Sequence, residues 1–151
     1  MSSALVSYRS AVPDDAWDLI CVHHAAVMAG GKGVYSDEVL LAWSPPPDEG
    51  RRQRIADLIS QNSTICSLAE CEATPVGFGI AVPAERWLKA LYVHPDYSGK
   101  GVGQNLLCSL ELQCMSVGVA ALAVNASLNA EGFYRRDLTP KLVRVPVRVR
   151  G

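Results

Sequence analysis

Leu91-Tyr-Val-His-Pro-Asp-Tyr-Ser-Gly-Lys-Gly-Val-Gly-Gln-Asn-Leu-Leu107 is the stretch on which the reading of this chain turns. An apolar run of Leu91, Tyr92 and Val93 stops at His94-Pro95. Three alternating glycines follow, Gly99, Gly101 and Gly103. Beyond them Leu106, Leu107, Leu110, Cys114 and Val117 fall at helical spacing. The order is strand, tight loop, helix. Glycines let backbone approach a ligand closely, and the first N–H groups of a helix lack intrahelical partners and lie at the positive end of its dipole. The arrangement suits an anion, most naturally phosphates, with Lys100 as a mobile positive charge. The competing reading is a plain tight turn.

Two familiar phosphate loops do not fit. A P-loop needs a glycine at position 94 and Ser or Thr after Gly99-Lys100, whereas this chain has His94 and Gly101. A dinucleotide fingerprint should follow the first strand of a βαβ unit, with an acid about 20 residues on. Here the loop lies past the middle of the chain, and positions 119–124 read Val-Ala-Ala-Leu-Ala-Val. A nucleotide-binding domain that prefers ATP or NAD is therefore disfavoured.

Leu-Tyr-Val-His-Pro-Asp-Tyr-x-Gly-Lys-Gly-Val-Gly-x-x-Leu-Leu resembles the acetyl-CoA-binding motif of the GCN5-related N-acetyltransferases, whose core is Arg/Gln-x-x-Gly-x-Gly/Ala. Gly101 and Gly103 match its glycines, and Ser98 stands where Arg or Gln is usual. A second segment, Asn125-Ala-Ser-Leu-Asn-Ala-Glu-Gly-Phe-Tyr134, is similar to the family's signature after the fifth strand. The resemblance covers positions 64–136 well and the N-terminal part loosely. It implies an α/β fold of the α+β kind: a mixed, mostly antiparallel sheet of six to seven strands flanked by helices, with strands four and five splayed around the pantetheine arm.

The same resemblance implies acetyl-CoA as cofactor and an amine of a small molecule or peptide as acceptor. It would set Leu91, Tyr92 and Val93 beside the acetyl-pantetheine. The pyrophosphate would rest on Ser98, Gly99, Lys100, Gly101, Val102, Gly103 and Gln104, with Asn129 near the pantetheine or phosphates and Phe133 either a core residue or a wall stacked on the cofactor. Tyr134 matches the tyrosine that protonates or orients the departing sulfur. Tyr35, Trp43 and His24 are the acceptor-pocket candidates. For Trp43 the alternative is a core plug, and for His24 a packed, hydrogen-bonded residue on an apolar stripe. Glu85, the carboxylate nearest the start of the fourth strand, is a candidate base, though a turn position makes it ordinary surface by default; His24 and a relayed water are the alternatives. An acyl-CoA-binding module with weak or no catalysis is the competing function, suggested by Ser98 and by the lack of a clear base.

Composition bounds these readings. The chain has 151 residues, which favours one domain over positions 1–151, and 49% hydrophobic against 19% charged residues can fill a core. A net charge of −1 gives no electrostatic reason to expect nucleic acid or an acidic membrane. The late arginines Arg144, Arg148 and Arg150 alternate with valines, as on a strand's wet face. Five cysteines without a Cys-x-x-Cys pair fit buried thiols in a reducing cytoplasm better than zinc ligands or disulfides. No signal-peptide core or membrane-length apolar run occurs, so a cytoplasmic location is expected.

Other elements are read from caps and periodicity. Leu5 to Arg9 is a strand. Pro13-Asp14-Asp15 opens a helix whose stripe is Trp17, Ile20, Cys21, His24 and Met28, with His23 more exposed, and Gly30-Gly31 ends it. Ser36 and Asp48 start two further helices, the second leaving Arg51, Arg52 and Arg54 wet. Thr64–Glu70 and Val76–Val82 form a hairpin around Glu72-Ala-Thr-Pro75, and Arg86–Val93 completes a meander. Gly118 is a C-cap, and Val119–Val124 a buried strand. Ser127 or Asn129 caps a short helix bearing Phe133 and Tyr134. The final valines make a strand that Pro146 confines to an edge or an irregularity. The family's Gly-Phe after Tyr134 is replaced by Arg135-Arg136-Asp137, and the chain after Leu138 is short for two strands. A valine-rich edge makes a homodimer plausible.

Overall fold

The computed structural model describes residues 5–119, 121–126 and 143–149. Its strands are β1 (Val6–Ser10), β2 (Ile65–Cys71), β3 (Thr74–Val82), β4 (Trp87–Val93), β5 (Ala121–Ala126) and β6 (Val143–Val149). Among the described residues they form one six-stranded sheet in sequential order. β1 to β4 are antiparallel neighbours, while β4–β5 and β5–β6 pair in parallel. The expected mixed sheet is therefore found, with Pro146 in the edge strand and a register shift where β6 passes Leu122 and Val124. The helices are α1 (Ala16–Gly31), α2 (Asp37–Trp43), α3 (Glu49–Ile59) and α4 (Val102–Ser116). No described helix is long and apolar enough to cross a membrane.

The helix starts follow their sequence signals. The Ser36 hydroxyl accepts from the Val39 N–H at 3.2 Å, and the Asp48 carboxylate accepts from the Arg51 N–H at 2.7 Å, satisfying otherwise orphaned donors. Asp15, ahead of α1, is held bidentately by Arg9 at 2.9 Å through each oxygen and also accepts from the Val12 N–H at 2.8 Å. The hairpin is tighter than expected. Its turn is Glu72-Ala73, both residues at positive φ (52° and 65°), and Thr74 and Pro75 already belong to β3.

The two faces of the sheet are packed differently. Leu19 and Val22 of α1, with Ile55, Leu58 and Ile59 of α3, meet Cys66, Leu68, Phe78 and Ile80. On the other face Leu107, Leu110 and Cys114 of α4 meet Ala81 and Leu88, and Val102 and Leu106 meet Ala69, Cys71 and Val76. The alternation along β3 explains this asymmetry. Phe78 and Ile80 project toward α1 and α3, whereas Gly77 and Gly79 leave room for α4. A Cβ at Gly79 would lie 2.5 Å from Leu110 Cδ1, so a near approach of helix to sheet requires glycine there.

Some expectations are corrected. Trp17 is 45% exposed; of the expected α1 stripe Ile20 is buried, but its buried neighbours are Leu19, Val22 and Val27. Val117 is exposed rather than part of the α4 stripe, although Leu106, Leu107, Leu110 and Cys114 are buried as their spacing predicts. Cys66, Cys71 and Cys114 are buried free thiols, and Cys21 and Cys108 are half-buried. Burial pushes the Cys66 thiol up to about 12.

Candidate functional site

The site begins with one extra residue in β4. Ile80 pairs with Ala90, yet the next β3 residue, Ala81, pairs with Leu88. Lys89 is thus the added residue of a β-bulge, which bends a strand and strengthens its twist. The bulge also resets which face each side chain takes: Leu88 packs under α4, while Ala90 and Tyr92 pack toward α1 and α3. Pairing of β4 with β5 stops at the same place. Among the described residues it runs through Trp87–Ala123 and Leu88–Val124. From Ala90 to Val93 the strand continues without a β5 partner in register. Among the described residues, the pairing of β4 with β5 therefore ends where the bulge begins.

Beyond Val93 the chain makes a 3-10 turn at Pro95–Tyr97 and enters the glycine loop. His94 Nδ1 accepts from the Asp96 N–H at 3.1 Å, which fixes the exit from β4. Gly99 and Gly101 have φ of 74° and 82°, a region that side chains with a Cβ rarely enter. Gly101 is the N-cap of α4 and supplies no side-chain cap. Among the described residues no side-chain oxygen caps the opening N–H groups of Val102, Gly103 and Gln104, and a helix end of this kind can take an anion. Ser98, Gly99, Lys100, Gly101 and Gln104 are exposed, while Val102 is buried against β2 and β3. The Lys100 ammonium lies 5.4 Å from the Tyr97 ring centre.

A polar cluster lies on the α1 side of β4. The His23 ring packs edgewise against Tyr92, with centroids 4.3 Å apart. Its Nδ1 is 2.7 Å from the hydroxyl of Ser44, which is fully buried, and 3.3 Å from the Arg51 guanidinium. A guanidinium can only donate, so this Nδ1 accepts and the ring proton belongs on Nε2. Arg51 also donates to the Pro45 carbonyl and, at 3.4 Å, to Ser44 Oγ. His24 Nδ1 meets the Ser44 carbonyl at 2.8 Å and must be the donor there. Burial lowers the Arg51 pKa, opposed by the nearby charge of Asp48.

The placement of the anticipated residues is mixed. Leu91, Tyr92 and Val93 lie on the stretch of β4 past the bulge, and the glycine loop sits at its end. Tyr35 and Trp43 meet edge to face with centroids 5.9 Å apart, and Trp43 leads directly into Ser44. His24 is tied to that linker, whereas His23, expected to be the more exposed, reaches Tyr92. Arg51 is folded over the linker rather than wet. Glu85 sits on the turn before β4 with its carboxylate 3.2 Å from Lys89 Nζ. Asn129, Phe133 and Tyr134 lie outside the described residues. The positional signal for the missed cluster was Ser44 ahead of Pro45-Pro46-Pro47, a stiff linker that holds one residue against α1.

Residues 35–137 match the family model described as an acetyltransferase (GNAT) domain. The chain belongs to the GNAT acetyltransferase family. It is 26% identical over 131 residues to the uncharacterized N-acetyltransferase YafP of Escherichia coli strain K12, covering 87% of this chain and 79% of that protein. Among solved structures, a GCN5-related N-acetyltransferase from Rhodopseudomonas palustris superposes with a TM-score of 0.76 at 29% identity, over 90% of this chain and 82% of the other. The PaiA N-acetyltransferase of Thermoplasma acidophilum, in complex with coenzyme A, superposes with a TM-score of 0.67 at 23% identity, over 79% and 76% of the two chains.

Proposed function

We propose that this GNAT protein transfers the acetyl group of acetyl-CoA directly to a primary amine of a small molecule or peptide. The observation that supports it most is the parting of β4 from β5 at the bulge, immediately before a glycine loop that leads into a helix without a side-chain cap. A slot between parallel strands suits an extended pantetheine arm, and the helix end suits its pyrophosphate. In this reading main-chain groups of Leu91, Tyr92 and Val93 run beside the acyl arm. Ser98 to Gln104 receive the phosphates, Lys100 adds charge, and Asn129 and Phe133 border the cofactor.

Acetyl-CoA supplies an activated carbonyl and a sulfur leaving group. The chain's own work is to hold that carbonyl against backbone donors where charge develops, to admit a neutral amine, and to give the sulfur a proton. Tyr134 is assigned the last role, since a phenol can donate to a departing thiolate. Glu85 is the candidate proton acceptor for the amine, and its engagement with Lys89 would have to loosen. Tyr35, Trp43 and His24 wall the acceptor side.

A second reading, an acyl-CoA-binding module with weak or no catalysis, draws on Ser98 in the phosphate loop and on the Glu85–Lys89 pair. One experiment separates them. Acetyl-CoA and CoA are titrated calorimetrically, with ATP and NAD as controls, into wild type and Tyr134→Phe. Turnover on an amine panel is followed by thiol release. The enzyme reading expects CoA binding in both proteins and a loss of about a hundredfold in turnover for the variant. Cofactor binding without turnover in either protein would favour the module. No heat with any CoA compound would refute both.

A further inference from the structure

Arg51 is a half-buried cation whose hydrogen bonds among the described residues go to the Pro45 carbonyl, Ser44 Oγ and His23 Nδ1. Among the described residues no carboxylate forms an ion pair with it. Asp48 acts on it through space, but Asp48 Oδ1 is turned to cap α3. Arg54 adds a second positive charge nearby. Withdrawing a guanidinium from water without a counter-ion is unfavourable, and stapling a proline carbonyl needs no charge. The planar fork of arginine is what a carboxylate matches best.

Position supplies the second half of the argument. His23 bridges Arg51 to Tyr92, which lies on the stretch of β4 past the bulge. An anion on Arg51 would thus sit one imidazole ring away from the strand on which the acyl group is placed above. The Ser44 hydroxyl is already committed by its short contact with His23, so the charge that would attract such an anion is that of Arg51. We propose that the amine acceptor carries a carboxylate and that Arg51, positioned by Ser44 and His23, receives it. This rests on the acetyltransferase reading and narrows its substrate class to amino acids or amines with an acidic arm.

The test compares glycine, β-alanine and 4-aminobutyrate with the corresponding amides as acceptors, in wild type, Arg51→Gln and Arg51→Lys. In parallel, their N-acetylated products and the amides of those products are titrated while the His23 ring resonances are followed by NMR. The second arm needs no turnover and no cofactor. Wild type should favour at least one acid over its amide by about ten- to a hundredfold in kcat/KM, mainly through KM, because a hydrogen bond to a charged group carries about that much discrimination. The preference and the His23 shifts should vanish in Arg51→Gln and return in part in Arg51→Lys. Equal use of acids and amides by wild type would overturn the proposal, whether or not the variants fold. So would His23 shifts that persist in Arg51→Gln. A protein that bound no CoA compound, yet showed Arg51-dependent shifts with the acids, would refute the acetyltransferase reading and leave the anion site standing.

Discussion

Replacing Gly79 by alanine tests how closely α4 must lie on the sheet. The added Cβ would stand 2.5 Å from Leu110 Cδ1, 3.2 Å from Leu91 Cδ1 and 3.4 Å from the Ala90 carbonyl. Leu110 is fully buried, so its tip cannot swing into solvent, and either the rotamer or the helix has to move. Overpacking of this kind costs about 1–3 kcal/mol, and the relief of glycine's excess entropy in a strand returns roughly 0.5–1 kcal/mol. The net loss should be about 0.5–2 kcal/mol. Leu110→Ala alone should cost about 2–5 kcal/mol by leaving a cavity. In the double variant the new methyl occupies part of that cavity, so the two losses should fall short of additivity by about 1 kcal/mol or more. Urea unfolding of the four proteins, compared at a common slope, measures this cycle. Gly79→Ala at wild-type stability, or strict additivity of the pair, would refute the account of β3 as a seat for α4.

Other consequences concern the turn and the acid limb of stability. Ala73 occupies a left-handed conformation in the β2–β3 turn, and Ala73→Gly should stabilise the protein by about 1 kcal/mol, read as a higher urea midpoint; a lower midpoint would contradict the turn geometry. Asp15, held by Arg9 and the Val12 N–H, has its carboxyl below the ordinary range, the Arg9 hydrogen bonds being the largest cause. A lowered folded pKa gives stability that is fully present above the unfolded value and is lost as pH falls through the folded value. Asp15→Asn should therefore cost about 1–2 kcal/mol near neutrality, the low end for a charged hydrogen bond because Arg9 is partly exposed. The variant should also flatten the fall in stability below about pH 4. Equal pH dependence in the two proteins would show that the pair is not what holds that corner.

Much of this architecture was readable because local signals and burial agree. The alternation in β3, the caps at Ser36 and Asp48, and the glycines before α4 each have a local physical cause that survives folding. Three features were not readable. Leu88-Lys89-Ala90-Leu91 contains no glycine or proline to announce a bulge, since the extra residue is set by pairing across the sheet. Helix α1 is apolar nearly all round, so its periodicity could not decide between Trp17 and Leu19 for the core, nor between His23 and His24 for contact with β4. Arg51 reads as solvent-facing on α3 until the proline linker is laid across it.

The bulge at Lys89 gives β4 a property that belongs to counting rather than to chemistry. Odd and even positions swap sides of the sheet at this residue, so its presence is what keeps Leu88 under α4 while Tyr92 faces His23. A side chain of almost any kind could stand at position 89 without altering that parity. Its deletion would put the two halves of the strand out of phase with their neighbours. Evolution of this site is therefore open to exchange of residues along β4 but closed to change in their number.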